Sequence, residues 1–194
     1  MSRRKERNTK GRIISAAWKL FYEQGYEDTT VEEIIELSGT SKGSFYHYFD
    51  GKDALLSTLS SLFDEKYEEL TGLLTPEMTA MEQLLFLNRE LFHMIEDSIS
   101  LDLLARLYST QLTTNGEKHL LDHNRIYYKL LRKIIAKGQA EGQLSSRSNV
   151  NEMVKLYALC ERALLYDWCL CAGEYALTEY SAKVLPGFLS SFLP

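Results

Sequence analysis

Two short helices separated by a tight break constrain the fold of this chain most strongly. Thr30 and Glu33 have the spacing of a capping box, which predicts that a helix begins at Thr30. Gly39 is predicted to end this helix, because glycine readily adopts the positive φ angle found at helix ends. Thr40 or Ser41 can then cap a second helix. The chain therefore reverses direction within a few residues here, and both helices are fixed by local signals.

The second helix, predicted from about Ser41 to Tyr48, has one apolar side and one polar side. Phe45 and Phe49 are four residues apart, so they share the side that packs on the preceding helix. The opposite side is formed mostly by Lys42, Gly43, Ser44, Tyr46 and His47. Two helices joined in this way form a helix-turn-helix, whose second helix enters the major groove of DNA.

Three stretches in and around this segment carry a family resemblance. They are Gly25-Tyr26-Glu27-Asp28-Thr29-Thr30 with Ile34, Ser38-Gly39-Thr40-Ser41-Lys42-Gly43-Ser44-Phe45-Tyr46-His47-Tyr48-Phe49, and Lys52-Asp53-Ala54-Leu55. Together they resemble the signature of TetR-family transcriptional regulators over roughly residues 8–60. Thr40 and Gly51 depart from that signature, where a small apolar residue and a polar cap are usual.

The resemblance implies an all-α protein with two domains. Residues 1–53 are expected to form the DNA-binding domain, and residues 54–194 a helical domain for ligand binding and dimerisation. The apolar periodicity predicts about nine helices and shows no strand-like alternation. After the first helix, Thr9–Gln24, and the helix-turn-helix, the predicted helices span 53–74, 76–97, 100–112, 117–141, 149–172 and 176–192. Residues 113–116 are predicted to form a loop, and Pro186 to kink or shorten the last helix.

The charge distribution agrees with DNA binding despite a net charge of -5. Residues 1–53 contain nine basic and nine acidic side chains, so the acidic excess belongs to the rest of the chain. Arg3, Arg4 and Lys5 open a basic arm, predicted over the first eight residues, that can reach phosphates. A basic arm in front of an acidic body favours one orientation on DNA.

The resemblance also assigns DNA contacts residue by residue. The predicted set is Arg3, Arg4, Lys5, Thr29, Thr30, Ser41, Lys42, Gly43, Ser44, Tyr46, His47, Tyr48 and Lys52. Gly43 weakens a helix by about 1 kcal/mol relative to alanine, but it lets the backbone approach the groove wall. Tyr46 can combine a hydrogen bond with contact to a thymine methyl group. Core packing is the alternative role for Tyr46 and Tyr48, and an ordinary surface position is the alternative for His47.

The family resemblance implies that the middle helices enclose a small-molecule pocket whose ligand changes the spacing of the two DNA-binding domains. Candidate lining residues are Phe92, His93, Tyr108, Tyr127, Tyr157, Glu161 and Trp168. The alternative is that these residues belong to an ordinary core and dimer interface, with Glu161 and Arg162 as half-exposed ions. A pocket rich in Tyr and Leu with a few acids suggests a lipophilic ligand, with a cation as one option.

The last two predicted helices favour a homodimer. Residues 149–172 are apolar on nearly all sides, and such a helix must be covered on all sides. The resemblance implies that two chains pair these helices in a four-helix bundle and bind a palindromic operator. We therefore expect a repressor released from DNA by a small lipophilic ligand. The alternative is a DNA-binding regulator controlled by a protein partner.

Other function classes find little support in the sequence. It contains no nucleophile elbow, Gly-rich phosphate loop or HExxH motif, so we expect no enzyme and no cofactor. His119 and His123 have helical spacing beside Asp122, but a solvated helix face is favoured over a metal site. Three cysteines and the lack of a secretory or membrane segment predict a cytoplasmic protein. Redox sensing by Cys160, Cys169 or Cys171 is a further option.

Overall fold

The computed structural model describes residues 2–113 and 118–194, with side chains from residue 9 onward. Its ten α-helices are α1 (Ser2–Gln24), α2 (Val31–Ser38), α3 (Lys42–Tyr48), α4 (Lys52–Leu56), α5 (Leu59–Thr71), α6 (Ala80–Ser98), α7 (Leu101–Thr113), α8 (Ile126–Ala140), α9 (Val150–Leu170) and α10 (Leu177–Leu189). Short 3-10 helices cover His119–Leu121 and Ser190–Phe192. These ranges contain no strand, and the predicted all-α class is confirmed. No helix in them combines the length and apolar character needed to cross a membrane.

The caps of the helix-turn-helix form as predicted. The Thr30 hydroxyl accepts a hydrogen bond from the Glu33 N–H at 3.2 Å, and the Glu33 carboxylate accepts one from the Thr30 N–H at 2.7 Å. Gly39 ends α2 in the left-handed conformation with φ 59°. Ser41 is the cap of α3, because its hydroxyl accepts a hydrogen bond from the Ser44 N–H at 3.1 Å. Local signals in the sequence thus set every boundary of this unit.

The three N-terminal helices enclose a small core of their own. Its buried side chains are Ile13, Ala17, Phe21, Ile34, Phe45 and Phe49. The prediction of an arm over residues 1–8 followed by a helix from Thr9 was wrong, since α1 already begins at Ser2. Residues 2–8 contain several good helix formers and neither Gly nor Pro, so nothing in them interrupts the helix.

The predicted long helix over 53–74 is divided into α4 and α5 at Ser57 and Thr58. The Ser57 hydroxyl donates to the Ala54 carbonyl at 2.7 Å, and the Thr58 hydroxyl donates to the Leu55 carbonyl at 2.6 Å. Such bonds compete with the backbone ladder and bend helices. The helix count is therefore ten instead of nine in the described ranges.

The start of α6 differs from the prediction at Thr75-Pro76. A reciprocal capping box forms instead between Thr79 and Glu82, with the Thr79 N–H 2.7 Å from the Glu82 carboxylate. This box satisfies two backbone donors, whereas a proline start satisfies none by a side chain. The Thr-x-x-Glu spacing was present in the sequence and outweighs the proline.

Three further boundaries correct the sequence-based helices. The predicted helix over 117–141 begins only at Ile126, after the 3-10 helix His119–Leu121; residue 117 and residues 114–116 of the predicted loop lie outside the described residues. The box predicted at Asn149 is half formed, with Asn149 accepting from the Glu152 N–H at 3.0 Å. Despite Pro186, α10 continues to Leu189 and leads into the second 3-10 helix.

The body, formed by α5 to α10, is built around α6 and α8. Helix α6 packs against α5, α8 and α10, and α8 also packs against α5 and α9. The body meets the N-terminal domain where α7 packs against α4. A hydrogen bond of 2.9 Å from the Trp18 indole N–H to the Thr58 hydroxyl adds a second connection. The N-terminal domain is thus attached through α4 and the start of α5.

Candidate DNA-binding surface and effector cavity

Helix α3 presents the predicted recognition residues to solvent. Lys42, Gly43 and His47 are exposed, and Tyr46 is 46% exposed, whereas Phe45 between them is fully buried. Core packing of Tyr46 is therefore excluded. Tyr48 is half-buried, with its ring centroid 4.8 Å from that of His47.

Gly43 is not required by packing within the protein. A Cβ atom added there would have the Ser41 hydroxyl, at 4.0 Å, as its nearest neighbour outside the adjoining residues and the helix backbone. Lys42 lies 3.4 Å from the Glu32 carboxylate on α2, but both side chains are largely exposed. Such a pair is weak in solvent, so the ammonium group can be transferred to a phosphate at little cost.

Two threonines of the predicted DNA-contact set are already bonded within the protein. Thr29 is 1% exposed and its hydroxyl donates to the Gly25 carbonyl at 2.7 Å, which corrects the expectation that it offers a donor to phosphate. Thr30 is exposed, but its hydroxyl donates to the Glu33 carboxylate at 2.8 Å. Both residues shape the turn before α2.

Lys52 also differs from its predicted role. Its ammonium group donates to the carbonyls of Tyr26 (2.5 Å), Thr29 (2.9 Å) and Glu27 (3.2 Å), so it closes the loop between α1 and α2. The Tyr26 ring lies between two cations, Lys52 at 4.2 Å and Arg106 of α7 at 4.9 Å. Burial and a hydrogen bond to Asp53 raise the pKa of Tyr26. The side chains of residues 3–5 lie outside the described residues.

The body contains a small cavity between its central helices. Its volume is about 50 Å³. The lining residues are Phe63, Tyr67, Leu91, Phe92, Leu107, Tyr108, Leu120, Arg125, Tyr127, Glu161, Arg162 and Leu165. A cavity of this size holds about one or two water molecules, so any larger ligand must displace side chains.

Glu161 is the buried polar centre of this region, at 4% exposure. Its carboxylate accepts hydrogen bonds from the Tyr127 hydroxyl at 2.6 Å and the Asn88 amide at 2.9 Å. Tyr157 is a third hydrogen-bonding neighbour. Burial raises the pKa of Glu161, although these hydrogen bonds and the charge of Arg162 oppose the rise. The proposal of a half-exposed ion is therefore wrong for Glu161.

The structure brings together four of the seven predicted ligand residues: Phe92, Tyr108, Tyr127 and Glu161 line the cavity. Tyr157 lies behind Glu161, with its hydroxyl bonded to the Leu84 carbonyl at 2.8 Å. The remaining two are corrected. The His93 side chain is 65% exposed and lies 3.3 Å from Asp97, because it falls on the solvent side of α6. Trp168 is buried elsewhere, with its indole N–H donating to the Tyr175 carbonyl at 2.9 Å.

Sequence reasoning missed three polar residues of the cavity. Tyr67 follows the buried Phe63 by one helical turn, so periodicity could have found it. Arg125 precedes α8 and pairs with Asp64 at 3.0 Å, a contact between distant parts of the chain that no local pattern reveals. Arg162 was considered only as a half-exposed ion.

A larger and shallower groove of about 680 Å³ lies between α6 and α10. Its lining includes Asn88 and Ser181, which are buried and joined by a hydrogen bond of 2.5 Å. Since Asn88 also donates to Glu161, one continuous set of hydrogen bonds separates this groove from the central cavity.

The sulfur and histidine candidates are not assembled into a site. In the described ranges, no three His, Cys, Asp or Glu side chains form a potential metal site. His119 begins a 3-10 helix, so the helical spacing assumed for His119 and His123 does not exist. Burial raises the pKa of Cys160 and Cys169 to about 11, and that of Cys171 is also raised. Raised thiol pKa values disfavour the reactive thiolate.

Comparison with known proteins identifies the domain that carries the helix-turn-helix. The family model described as "Bacterial regulatory proteins, tetR family" matches residues 13–59. Residues 13–59 are thus similar to the DNA-binding region of TetR-family regulators. The matched range contains the capped turn, all of α3 and the exposed face described above.

The curated relatives of this chain differ in how much of it they match. An uncharacterised HTH-type transcriptional regulator of Lactococcus lactis subsp. lactis is 41% identical over 56 residues, which is 28% of the chain and 29% of that relative. The chain spans about a third or less of several such curated relatives. The fatty acid metabolism regulator protein of Bacillus subtilis (strain 168) is 24% identical over 177 residues, covering 89% of the chain and 90% of the relative.

A solved structure extends the similarity over the body. Thermus thermophilus FadR, a TetR-family transcriptional repressor crystallised with lauroyl-CoA, has a TM-score of 0.75 at 25% identity and covers 95% of both chains. The arrangement of the described helices is therefore that of a TetR-family regulator.

Proposed function

We propose that this chain is a ligand-responsive transcriptional repressor that binds a palindromic operator as a homodimer. In this proposal residues 1–53 bind DNA, and residues 54–194 bind the effector and form the dimer. The exposed face of α3 carries the proposal. On this face Lys42 supplies a cation, Gly43 has no packing role within the protein and Tyr46 is 46% exposed. The buried Phe45 holds the helix against the rest of the domain.

In the proposed complex α3 lies in the major groove. Tyr46 and Lys42 are placed to reach base edges or phosphates, and the open space beside Gly43 lets the helix backbone approach the groove wall. Ser44 and His47 flank this surface. The Lys52 side chain acts indirectly in this scheme, because it fixes the loop before α2 through three carbonyl groups.

The proposed dimer interface is the outer face of α9 together with α10. Leu159, Tyr166 and Leu170 are exposed on α9 and lie on one helical face, while Tyr180 is exposed on α10. Single exposed apolar residues are ordinary, but a continuous stripe along a helix marks an interaction surface. Replacing Leu159 with glutamate is expected to shift the dimer towards monomer in sedimentation experiments.

The proposed effector site is the cavity around Glu161. It is lined mainly by apolar and aromatic side chains, which suits a lipophilic ligand. The long alignments to a fatty acid metabolism regulator and to a FadR crystallised with lauroyl-CoA make acyl compounds the first class to test. Release from DNA requires that the ligand bind the two conformations of the protein with different affinity.

Selection of random duplex oligonucleotides by the purified chain, followed by sequencing, tests the DNA-binding part. We expect a palindromic motif whose half-sites are separated by one helical turn or a multiple of it. A Tyr46→Ala variant should bind the selected duplex about 10- to 100-fold more weakly, while its unfolding temperature stays close to that of the parent because the side chain is exposed.

The matched control is Tyr22→Ala. Tyr22 is another exposed tyrosine, lies on α1 and is not among the predicted DNA-contacting residues. If no motif emerges, or if both tyrosine variants bind like the parent, α3 is not the recognition helix. The selected duplex then serves in effector screens, since a ligand that raises the unfolding temperature should also release it.

A further inference from the structure

Two acidic and two basic side chains meet at the central cavity, and they are paired to different extents. They are Glu161, Arg125, Arg162 and, through its contact with Arg125, Asp64. Asp64 and Arg125 neutralise each other with two contacts, Nη2 to Oδ1 at 3.0 Å and Nε to Oδ2 at 3.1 Å. In this bidentate pair each charge already has a partner of the opposite sign.

Glu161 offers little to a cationic ligand. One carboxylate oxygen accepts from Asn88 and the other accepts from Tyr127. The Tyr157 hydroxyl, the third polar neighbour of Glu161, also donates to the Leu84 carbonyl at 2.8 Å. Burial raises the pKa of this carboxyl, which lowers its tendency to carry a charge.

Arg162 is different from the other three. It lines the cavity yet remains partly exposed, so it lies between the interior and solvent. Its one hydrogen bond in the described part of the chain joins Nη1 to the Tyr128 hydroxyl at 3.2 Å, and no carboxylate lies within 4.0 Å of it there. A guanidinium group has five donors, most of which are unused here.

We propose that Arg162 binds the anionic end of an acyl effector whose chain enters among Phe63, Phe92 and Leu165. This inference rests on the proposed effector site and specifies its ligand class. It also reverses the option of a cationic ligand, because among the described lining residues Arg162 has no carboxylate partner within 4.0 Å, whereas both oxygens of Glu161 already accept hydrogen bonds. The anionic group is either the carboxylate of a fatty acid or the phosphates of an acyl thioester of coenzyme A.

Occupation of Arg162 affects the cavity wall. The Tyr128 hydroxyl, which Arg162 contacts, donates in turn to the carbonyl of Leu120 at 3.0 Å. Leu120 belongs to the 3-10 helix that forms one side of the cavity. An anion that draws Arg162 away from Tyr128 alters the support of this wall. The wall has to move to admit an acyl chain, because the cavity measures only about 50 Å³.

Four probes with the same chain length separate the possible head groups. Laurate, lauroyl-CoA, dodecanol and dodecyltrimethylammonium are titrated into the full-length protein below their critical micelle concentrations, with calorimetry and thermal unfolding as readouts. We expect laurate or lauroyl-CoA to bind most tightly and the ammonium compound most weakly. The order of the two acyl probes identifies the carboxylate or the coenzyme A phosphates as the anion.

Arg162→Met keeps an unbranched, flexible side chain about as long as the aliphatic part of arginine and removes the guanidinium group. It should weaken binding of the preferred acyl probe by about 10- to 100-fold, the range for a hydrogen bond to a charged group, and change dodecanol binding by less than about threefold. Arg162→Lys should retain part of the affinity. Arg147→Met is the matched control, since Arg147 is exposed between α8 and α9 and does not line the cavity.

The proposal is overturned if the ammonium probe binds as tightly as the acyl probes, if no acyl probe binds, or if folded Arg162→Met binds them like the parent. Binding of the selected operator duplex is measured on the same preparations without probe. If the parent binds the operator but does not prefer the anionic probes to the ammonium probe, only this inference is wrong. If the parent does not bind the operator, the proposed function is wrong.

Discussion

The polar side chains of α3 lie in solvent, whereas those on the inner faces of α6 and α9 are buried and bonded to one another. Lys42 and His47 are exposed on the first surface. In the second region Asn88 joins Ser181 to Glu161 at distances of 2.5 and 2.9 Å. Under the proposed function, α3 can therefore contact DNA without breaking bonds within the protein, whereas a ligand in the body has to replace internal hydrogen bonds.

The exposed surface of α3 suits binding to DNA, whereas the buried hydrogen bonds of the body suit a switch controlled by a ligand. A surface of exposed polar groups can bind without rearrangement, and its strength depends on the solvent ions that it displaces. A closed set of buried hydrogen bonds has two alternatives, intact or broken, which suits a switch. The first prediction tests the exposed surface, and the following ones test the interior and then the junction.

Salt should affect DNA binding far more than folding. If a dimer neutralises about 6 to 10 phosphates, operator affinity falls by about 10³ to 10⁵-fold between 50 and 200 mM salt. The best-buried ion pair of the body, Arg125 with Asp64, is only 10% and 17% exposed, so salt screens it little. Fluorescence anisotropy with the selected duplex and urea unfolding in the same buffers measure the two effects. A flat binding curve would argue against α3 as a phosphate-contacting helix.

The second prediction concerns the pH dependence of folding through Glu161. Its pKa is raised in the folded protein by burial, from about 4.3 in an unfolded chain. Between these two pKa values the folded protein binds more protons than the unfolded chain, so stability falls as pH rises through that window and then levels off. Glu161→Gln cannot titrate and should lack this fall.

Urea unfolding of the parent and of Glu161→Gln over a range of pH gives the difference directly. The exposed Glu33 and Glu82 carboxylates, whose pKa values are lowered by their capping bonds, contribute the opposite slope at acidic pH and are common to both proteins. Parallel stability curves would mean that folding leaves the pKa of Glu161 unchanged.

The same contrast explains which parts of the molecule the sequence predicts. The boundaries of α2 and α3 depend on residues three apart, such as Thr30 with Glu33 and Ser41 with Ser44. Such spacing is visible in any single sequence. The exposure of Tyr46 followed equally directly, because Phe45 beside it occupies the one apolar side of a short helix.

The cavity depends instead on residues far apart in the chain. Asn88 and Glu161 are separated by 73 positions, and Arg125 lies 61 positions from Asp64. No helical period relates such pairs, so Arg125 and Arg162 were missed and His93 was placed on the wrong side of α6. Within the body, periodicity indicated which helices are amphipathic but left their neighbours undetermined.

Two helical glycines, Gly138 and Gly43, distinguish an effect on packing from an effect on DNA binding. A Cβ atom at Gly138 would lie 2.6 Å from the Ala80 Cβ and 2.9 Å from a Leu144 methyl, whereas the nearest neighbour of one at Gly43 is the Ser41 hydroxyl at 4.0 Å. Gly138→Ala should lower the free energy of unfolding by about 1–3 kcal/mol through overpacking, partly offset by the gain of up to about 1 kcal/mol in helix propensity.

Gly43→Ala receives only that gain, so its unfolding temperature should stay the same or rise while its operator affinity falls. The folded fraction of Gly138→Ala should bind operator like the parent. Denaturant unfolding and operator titration on both variants complete the comparison. If Gly43→Ala binds DNA normally, the backbone of α3 does not approach the groove wall closely.

The smallest effect is expected at the junction between the two domains. Arg106 of α7 pairs with Glu27 at 2.5 Å and with Asp102 at 2.9 Å, and it lies over the Tyr26 ring at 4.9 Å. Partly exposed contacts of these kinds contribute about 0.2–1 kcal/mol each. Arg106→Met should therefore lower the unfolding temperature by about 2–4 °C.

Lys137→Met is the control for this last variant, since it removes an exposed pair with Glu141 that stays within α8. If Arg106 holds the N-terminal domain on the body, its loss should also weaken operator binding, whereas loss of Lys137 should not. A temperature change without a change in operator affinity would leave Arg106 as a stabilising contact only. The connection through α4 and the Trp18–Thr58 hydrogen bond would then be sufficient to position α3.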